Sequence, residues 1–161
     1  MAYPRRKPHR LNGYDYSRNG CVYITICTYK RQKILSEICR GGVLLRPLGE
    51  VVENGIKELE ARFNIRVNPY VIMPDHIHMM LIIDHAGKWE EQSPSPTGVD
   101  SIICAFKSLT TKIANKTDNC PGRKIWQRDY YDHIIRNEYD YITKVKYILN
   151  NPRNAQNDEN M

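Results

Sequence analysis

The 161-residue sequence has no apolar run approaching the roughly 20 residues that span a bilayer. A helical membrane protein is therefore excluded. The basic opening, MAYPRRKPHRLNGYDYSRNG, lacks an apolar central region and does not read as a secretory signal. Cysteine is sparse: Cys21, Cys27, Cys39, Cys104 and Cys120 form no CxxC pair and are odd in number. That argues against a disulfide framework or a cysteine zinc site and for thiols in a reducing compartment. No P-loop or dinucleotide fingerprint occurs, so nothing points to nucleotide-driven or hydride chemistry. There is no internal repeat and no low-complexity tract. A single soluble domain in the cytoplasm is expected.

What is present fits a globular domain. The composition is 41% apolar and 26% charged, and the length is enough to bury a core. Net charge is +6, which favours an anionic partner such as nucleic acid or a membrane surface. Eleven tyrosines stand against two phenylalanines. Tyrosine stacks on bases and donates to phosphates, but it also fills half-wet cores. Residues 1–20 read as a basic arm, with Arg5, Arg6, Lys7 and Arg10 set among Pro4 and Pro8. It is either a disordered terminus or an arm that grips a phosphate backbone.

The domain proper is expected over 21–152, with a polar tail over 153–161. "CVYITICTY" (21–29) alternates, placing Val22, Ile24 and Ile26 on one face and Tyr23, Thr25, Cys27 and Tyr29 on the other. Val52, Ile56, Leu59 and Phe63 recur at helical spacing over 49–63. "RVNPYVIM" (66–73) is a strand, and Pro69 assigns it to an edge. "HIHMMLII" is the next strand, and a polar Pro/Ser/Gly loop follows. Asp100 or Ser101 is a plausible N-cap for a second helix striped by Ile102, Ile103, Phe106, Leu109 and Ile113. "YYDHIIR" (130–136) is a fourth strand. A third helix runs from about 138 to 150, limited by Pro152. The order β-α-β-β-α-β-α implies an α+β, ferredoxin-like sheet: four antiparallel strands, two helices on one face, and a C-terminal helix.

One strand is unusual. "VIMPDHIHMMLII" (71–83) is apolar yet carries His76 and His78. Side chains alternate across a strand, so both imidazoles share a face with Met80 and Ile82. If the Ile77 face meets the helices, the histidines lie mid-sheet on the open face. There they can chelate one borderline cation or form a hydrogen-bonded surface pair. On the last helix, Tyr141, Ile142, Val145, Ile148 and Leu149 make one stripe. Tyr147 lies nearly opposite, with Asp140, Lys144 and Asn151. Asn151, at i+4, shares the face of Tyr147. Its amide either completes a metal shell or simply marks a helix stop.

The blocks "MPDHIHMML", "IWQRDYYDHIIRNEYDY" and "YILNNP", in this order, resemble the single-tyrosine HUH transposases of the IS200/IS605 type. "RLNGYDYSRNGCVYITICTYKRQ" is similar to the N-terminal block of their REP-associated bacterial branch. The resemblance covers most of residues 10–153 and implies the same ferredoxin-like, RRM-like fold. It implies that His76, His78 and Asn151 bind Mg²⁺ or Mn²⁺ and that Tyr147 is the nucleophile. It also implies hairpin-bearing single-stranded DNA as substrate and a 5′-phosphotyrosine intermediate. The protein would be a bacterial, nucleoid-associated monomer acting in cis or a homodimer acting in trans. The arm, Lys107, Arg128 and Arg136 become candidate DNA contacts, each otherwise a solvated charge. Trp126 and Tyr130 either stack on bases or pack in the core. Asp75 either orients His76 or forms a turn after Pro74.

Three readings follow. The first is covalent, metal-dependent cleavage and joining of single-stranded DNA. The second is a non-catalytic hairpin-binding module that stacks bases on Tyr23 or Tyr29. The third is a metal-dependent phosphodiesterase in which water attacks.

Overall fold

In the computed structural model, which describes residues 20–39, 42–83 and 98–158, the alternating N-terminal segment is strand β1 (Gly20–Cys27). A short 3-10 turn, Tyr29–Arg31, leads into a hairpin of β2 (Ser36–Cys39) and β3 (Gly42–Leu45). Then come α1 (Pro47–Phe63), β4 (Ile65–Ile72) and β5 (His76–Ile83). After them stand α2 (Val99–Thr117), β6 (Tyr131–Ile134) and α3 (Glu138–Asp158). Arg5, Arg6, Lys7 and Arg10, the rest of the arm to residue 19, and the loop over 84–97 lie outside the described residues.

The main sheet has the order β4-β5-β1-β6, with every neighbouring pair antiparallel. This is the ferredoxin-like arrangement expected from the sequence. Strand β4 is an edge strand, and its pairing shifts register between Val67 and Tyr70, around Pro69. Proline donates nothing to a ladder, so an edge strand with an irregularity is where it fits.

One sheet face builds the larger core. Val22, Ile24, Ile26, Ile77, Met79, Leu81 and Ile83 pack against Val52, Ile56 and Leu59 of α1 and Ile102, Ile103 and Phe106 of α2. The Ile77 face therefore meets the helices, and the histidine face is turned away from them. Alternation of side chains gives this result once one face is buried.

Four local expectations change. The β2–β3 hairpin has no counterpart in the element order expected from the sequence; its two strands of four residues are too short for a periodic signal. Helix α2 starts earlier than expected, with its N-cap at Gly98, two residues before Asp100 and three before Ser101, and with no side-chain cap, so neither Asp100 nor Ser101 caps it. Within α2, Ile113 is exposed, while Thr110 and Ala114 are buried. Thr110 is satisfied there because its hydroxyl donates to the Phe106 carbonyl (2.8 Å) and accepts from Trp126 Nε1 (2.9 Å).

The fourth change matters most. Helix α3 does not stop near residue 150 but continues through Pro152 to Asp158. A proline inside a helix removes one backbone bond and crowds the preceding turn. Helix α3 as a whole packs against β4, with contacts to β2 and β3, and Asn151, next to the proline, is buried. Tertiary contact offsets the local penalty.

Candidate active site

Helix α3 lies on the sheet face opposite α1 and α2. Its anchor is Ile148, wholly buried against Tyr23 and Met80 and flanked by Val71, Ile82, Tyr141 and Val145. Burying one such side chain contributes about 1.5–3 kcal/mol. The apolar stripe expected on α3 is used only in part: Ile142 is 42% exposed and Leu149 65% exposed. The helix is rolled toward its polar flank. On that flank Asp140, Lys144 and Tyr147 face the histidine side of the sheet, and Asn151 is buried.

Each member of the flank meets a partner or is buried. Both Asp140 carboxylate oxygens lie within 3.0 Å of His133 Nε2, and Asn137 Oδ1 accepts from the Asp140 backbone N–H. Asp140 thus clamps the start of α3 to β6, and this contact lowers its pKa. The Lys144 ammonium lies 4.9 Å over the ring of Tyr23. The ring of Tyr147 stands edge-on to His78, 5.3 Å between centroids, and 6.3 Å from Tyr23. Tyr147 remains 47% exposed, so its phenol is open to a macromolecular substrate.

The histidines converge. His76 Nε2 and His78 Nε2 are 3.0 Å apart. Their outer nitrogens are both held. His76 Nδ1 lies 2.6 Å from Asp75 Oδ1, and a carboxylate accepts the Nδ1 proton, which leaves the Nε2 lone pair facing His78. Asp75 is held in turn by Arg31 Nε at 3.0 Å. His78 Nδ1 lies 2.7 Å from the Tyr23 hydroxyl and 2.8 Å from the Thr25 hydroxyl. A hydroxyl accepts as well as donates, so this pair tolerates a protonated Nδ1 and a free Nε2 lone pair. Burial, reinforced by His76, Arg31 and Lys144, pushes the His78 pKa down to about 3. His78 is therefore neutral at physiological pH, the state in which imidazole binds a metal.

The separation of the two nitrogens suits a shared ion. Adjacent ligands of an octahedral shell with bonds of about 2.1 Å are separated by about 3 Å. Among the described residues, no group of three or more His, Cys, Asp or Glu could hold a metal. A third protein donor would therefore have to be of another kind, such as an amide or carbonyl oxygen.

The remaining sequence candidates fall elsewhere. Lys107 donates to three backbone carbonyls, those of Gln127, Arg128 and Asp129, at 3.0–3.2 Å. An ammonium has three protons, so the group is fully engaged as a clamp on the segment before β6. Arg128 and Arg136 are exposed. Trp126 is buried, and the Tyr130 hydroxyl donates to Asp100 Oδ1 at 2.6 Å; both pack against the helix-side core. Tyr23 is only 4% exposed, so its ring is not a stacking surface. Sequence reasoning missed Thr25 and Arg31 as members of the site. Thr25 stands directly opposite His78 in the β1–β5 pairing, a register that no single strand reveals.

The chain matches the family model described as IS200-like transposase over residues 22–151. The chain belongs to that family. Among relatives of this IS200-like transposase, an uncharacterized protein of Haemophilus influenzae is 31% identical over 91% of the chain and 88% of its own length. The REP-associated tyrosine transposase of Escherichia coli K12 is 25% identical over 70% of the chain and 59% of its own length. A solved REP-associated tyrosine transposase bound to a REP hairpin superposes with a TM-score of 0.62 at 20% identity. It covers 96% of this chain and 74% of its own, and the likeness shows a shared fold. Among the described residues of this IS200-like transposase, no helix is long and apolar enough to cross a membrane.

Proposed function

We propose that this IS200-like transposase cleaves and rejoins single-stranded DNA through Tyr147. The observation that carries the reading is the docking of α3. It sets an exposed tyrosine 5.3 Å from one of two histidines whose Nε2 atoms converge. The name of the Escherichia coli relative and the hairpin in the solved structure support DNA with stem-loop character as substrate.

In this reading His76, His78 and the amide oxygen of Asn151 hold a divalent ion, Mg²⁺ or Mn²⁺. When bound, the ion supplies positive charge that neutralises the scissile phosphate as charge builds up on it. Asp75 and Arg31 fix the ring of His76, while Tyr23 and Thr25 fix that of His78. Tyr147 Oη attacks phosphorus, the phenol proton is lost to solvent, and the bond to the 3′-oxygen breaks. The 3′-oxygen leaves and is protonated to a 3′-hydroxyl. The phosphodiester becomes a 5′-phosphotyrosyl ester, so a strand 3′-hydroxyl can reverse the step without ATP. Lys144 adds a positive charge on the Tyr147 flank of α3. The polar flank of α3 serves one site within a single chain in cis, or a partner's site in trans.

The test is a covalent-adduct assay. Labelled stem-loop DNA from the gene's flanks is incubated with protein and Mn²⁺ and run on a denaturing gel. An adduct lost in Tyr147→Phe and with a chelator is the expected result. DNA binding with neither adduct nor cleavage would turn the reading to a hairpin-binding module. Cleavage that persists in Tyr147→Phe would turn it to attack by water.

A further inference from the structure

We propose that the ring of Tyr131 is a stacking platform for one unpaired nucleobase of the DNA strand held at Tyr147. The inference rests on the functional reading above and adds a binding subsite to it.

β6 is an edge strand, and Tyr131 stands opposite Thr25 in its pairing with β1. Thr25 holds His78, so Tyr131 projects from the same sheet face as the site. Its neighbour on that face, His133, is taken by Asp140, whereas Asp132 and Ile134 are buried on the other side. Tyr131 is 48% exposed.

The surroundings then distinguish it from an ordinary surface tyrosine. Three rings pack around Tyr23: His78, Tyr147 and Tyr131. His78 is buried and Tyr147 carries the proposed chemistry. Tyr131 stands 6.4 Å from Tyr23 at 71°, so it touches Tyr23 by an edge contact and keeps ring face in solvent. No hydrogen bond to another described residue restrains its hydroxyl. Tyr131 and Tyr147 thus flank the same buried ring, and Lys144 places a cation over that ring. The layout offers a nucleophile, a positive charge for phosphate and an aromatic face for a base. Every base has a π-face, so such a platform tolerates sequence while fixing the strand's path.

The experiment uses the full chain and a short oligothymidine carrying one 2-aminopurine, whose fluorescence falls on stacking. Wild-type protein is expected to quench the probe. Tyr131→Ala and Tyr131→Leu should lose the quench and weaken binding about ten-fold, within the range for one stacked base. Leucine keeps apolar bulk against Tyr23, so its failure would show that aromaticity is required. Tyr131→Phe and Tyr131→Trp should restore both signals. Equal quench and affinity in wild type and Tyr131→Leu would overturn the platform. If the Tyr147 adduct still formed, the transposase reading would survive that loss. Wild-type protein that neither binds the probe nor forms an adduct would overturn both.

Discussion

The ring of Tyr147 lies 5.3 Å from that of His78, with the tyrosine half in solvent and the histidine buried. The two residues come from the last helix and a central strand. Nothing local brings them together. Their meeting depends on Ile148, the next residue along the helix, which closes onto Tyr23 and Met80.

The hydroxyls of Tyr23 and Thr25 both reach His78 Nδ1, so either alone retains part of the restraint. Tyr23→Phe or Thr25→Val is expected to weaken Mn²⁺ binding several-fold. The double variant should weaken it by about 10–100-fold, the usual effect of removing a metal ligand's outer hydrogen bond. Calorimetric or spin-resonance titration of Mn²⁺ measures this without reference to activity. An unchanged affinity in the double variant would show that packing alone orients His78.

Lys107 is half-buried and bound to three carbonyls. Lys107→Met keeps the apolar stem but leaves those acceptors without their donor. A loss of about 1–3 kcal/mol in urea unfolding is expected. The salt dependence of DNA binding should keep its slope. A phosphate-contacting lysine would instead lower that slope by about one unit.

Asp140 has a pKa held below the ordinary 3.8, first by its hydrogen bond to His133. A depressed carboxylate contributes stability that is full above its unfolded pKa and is lost as pH falls through the folded one. Wild type should therefore exceed Asp140→Asn in stability at neutral pH, and the gap should close only below about pH 3.8. Thermal melts over a pH series measure it. Because the same contact fixes the start of α3, adduct formation by Asp140→Asn at neutral pH should also be slower.

The Cys21 thiol is pushed up to about 11, first by burial and then by the Asp140 charge. At pH 8 its thiolate fraction is about one in a thousand, against about a quarter for a free cysteine. Iodoacetamide should therefore modify the exposed Cys39, Cys104 and Cys120 well before Cys21. Peptide mass spectrometry over time would show the order. Early labelling of Cys21 would mean that the β1–α3 contact opens readily.

Which residues share a side of each element is legible in the sequence. A period of two put His76 and His78 together, and a spacing of four put Tyr147 with Asn151. It also placed Asp140 and Lys144 beside them and assigned β4 to an edge through Pro69. These are local geometric facts, and a chain of this pattern carries them wherever its helices and strands form. What those sides face is set by the assembled fold. The β1–β5 register placed Thr25 against His78, and the 3-10 turn brought Arg31 to Asp75. The roll of α3 exposed Leu149 and turned the polar flank inward, and the docked helix runs on past Pro152. Register and docking angle come from contacts between residues distant in sequence, whose combined packing outweighs local preference; no local spacing encodes them.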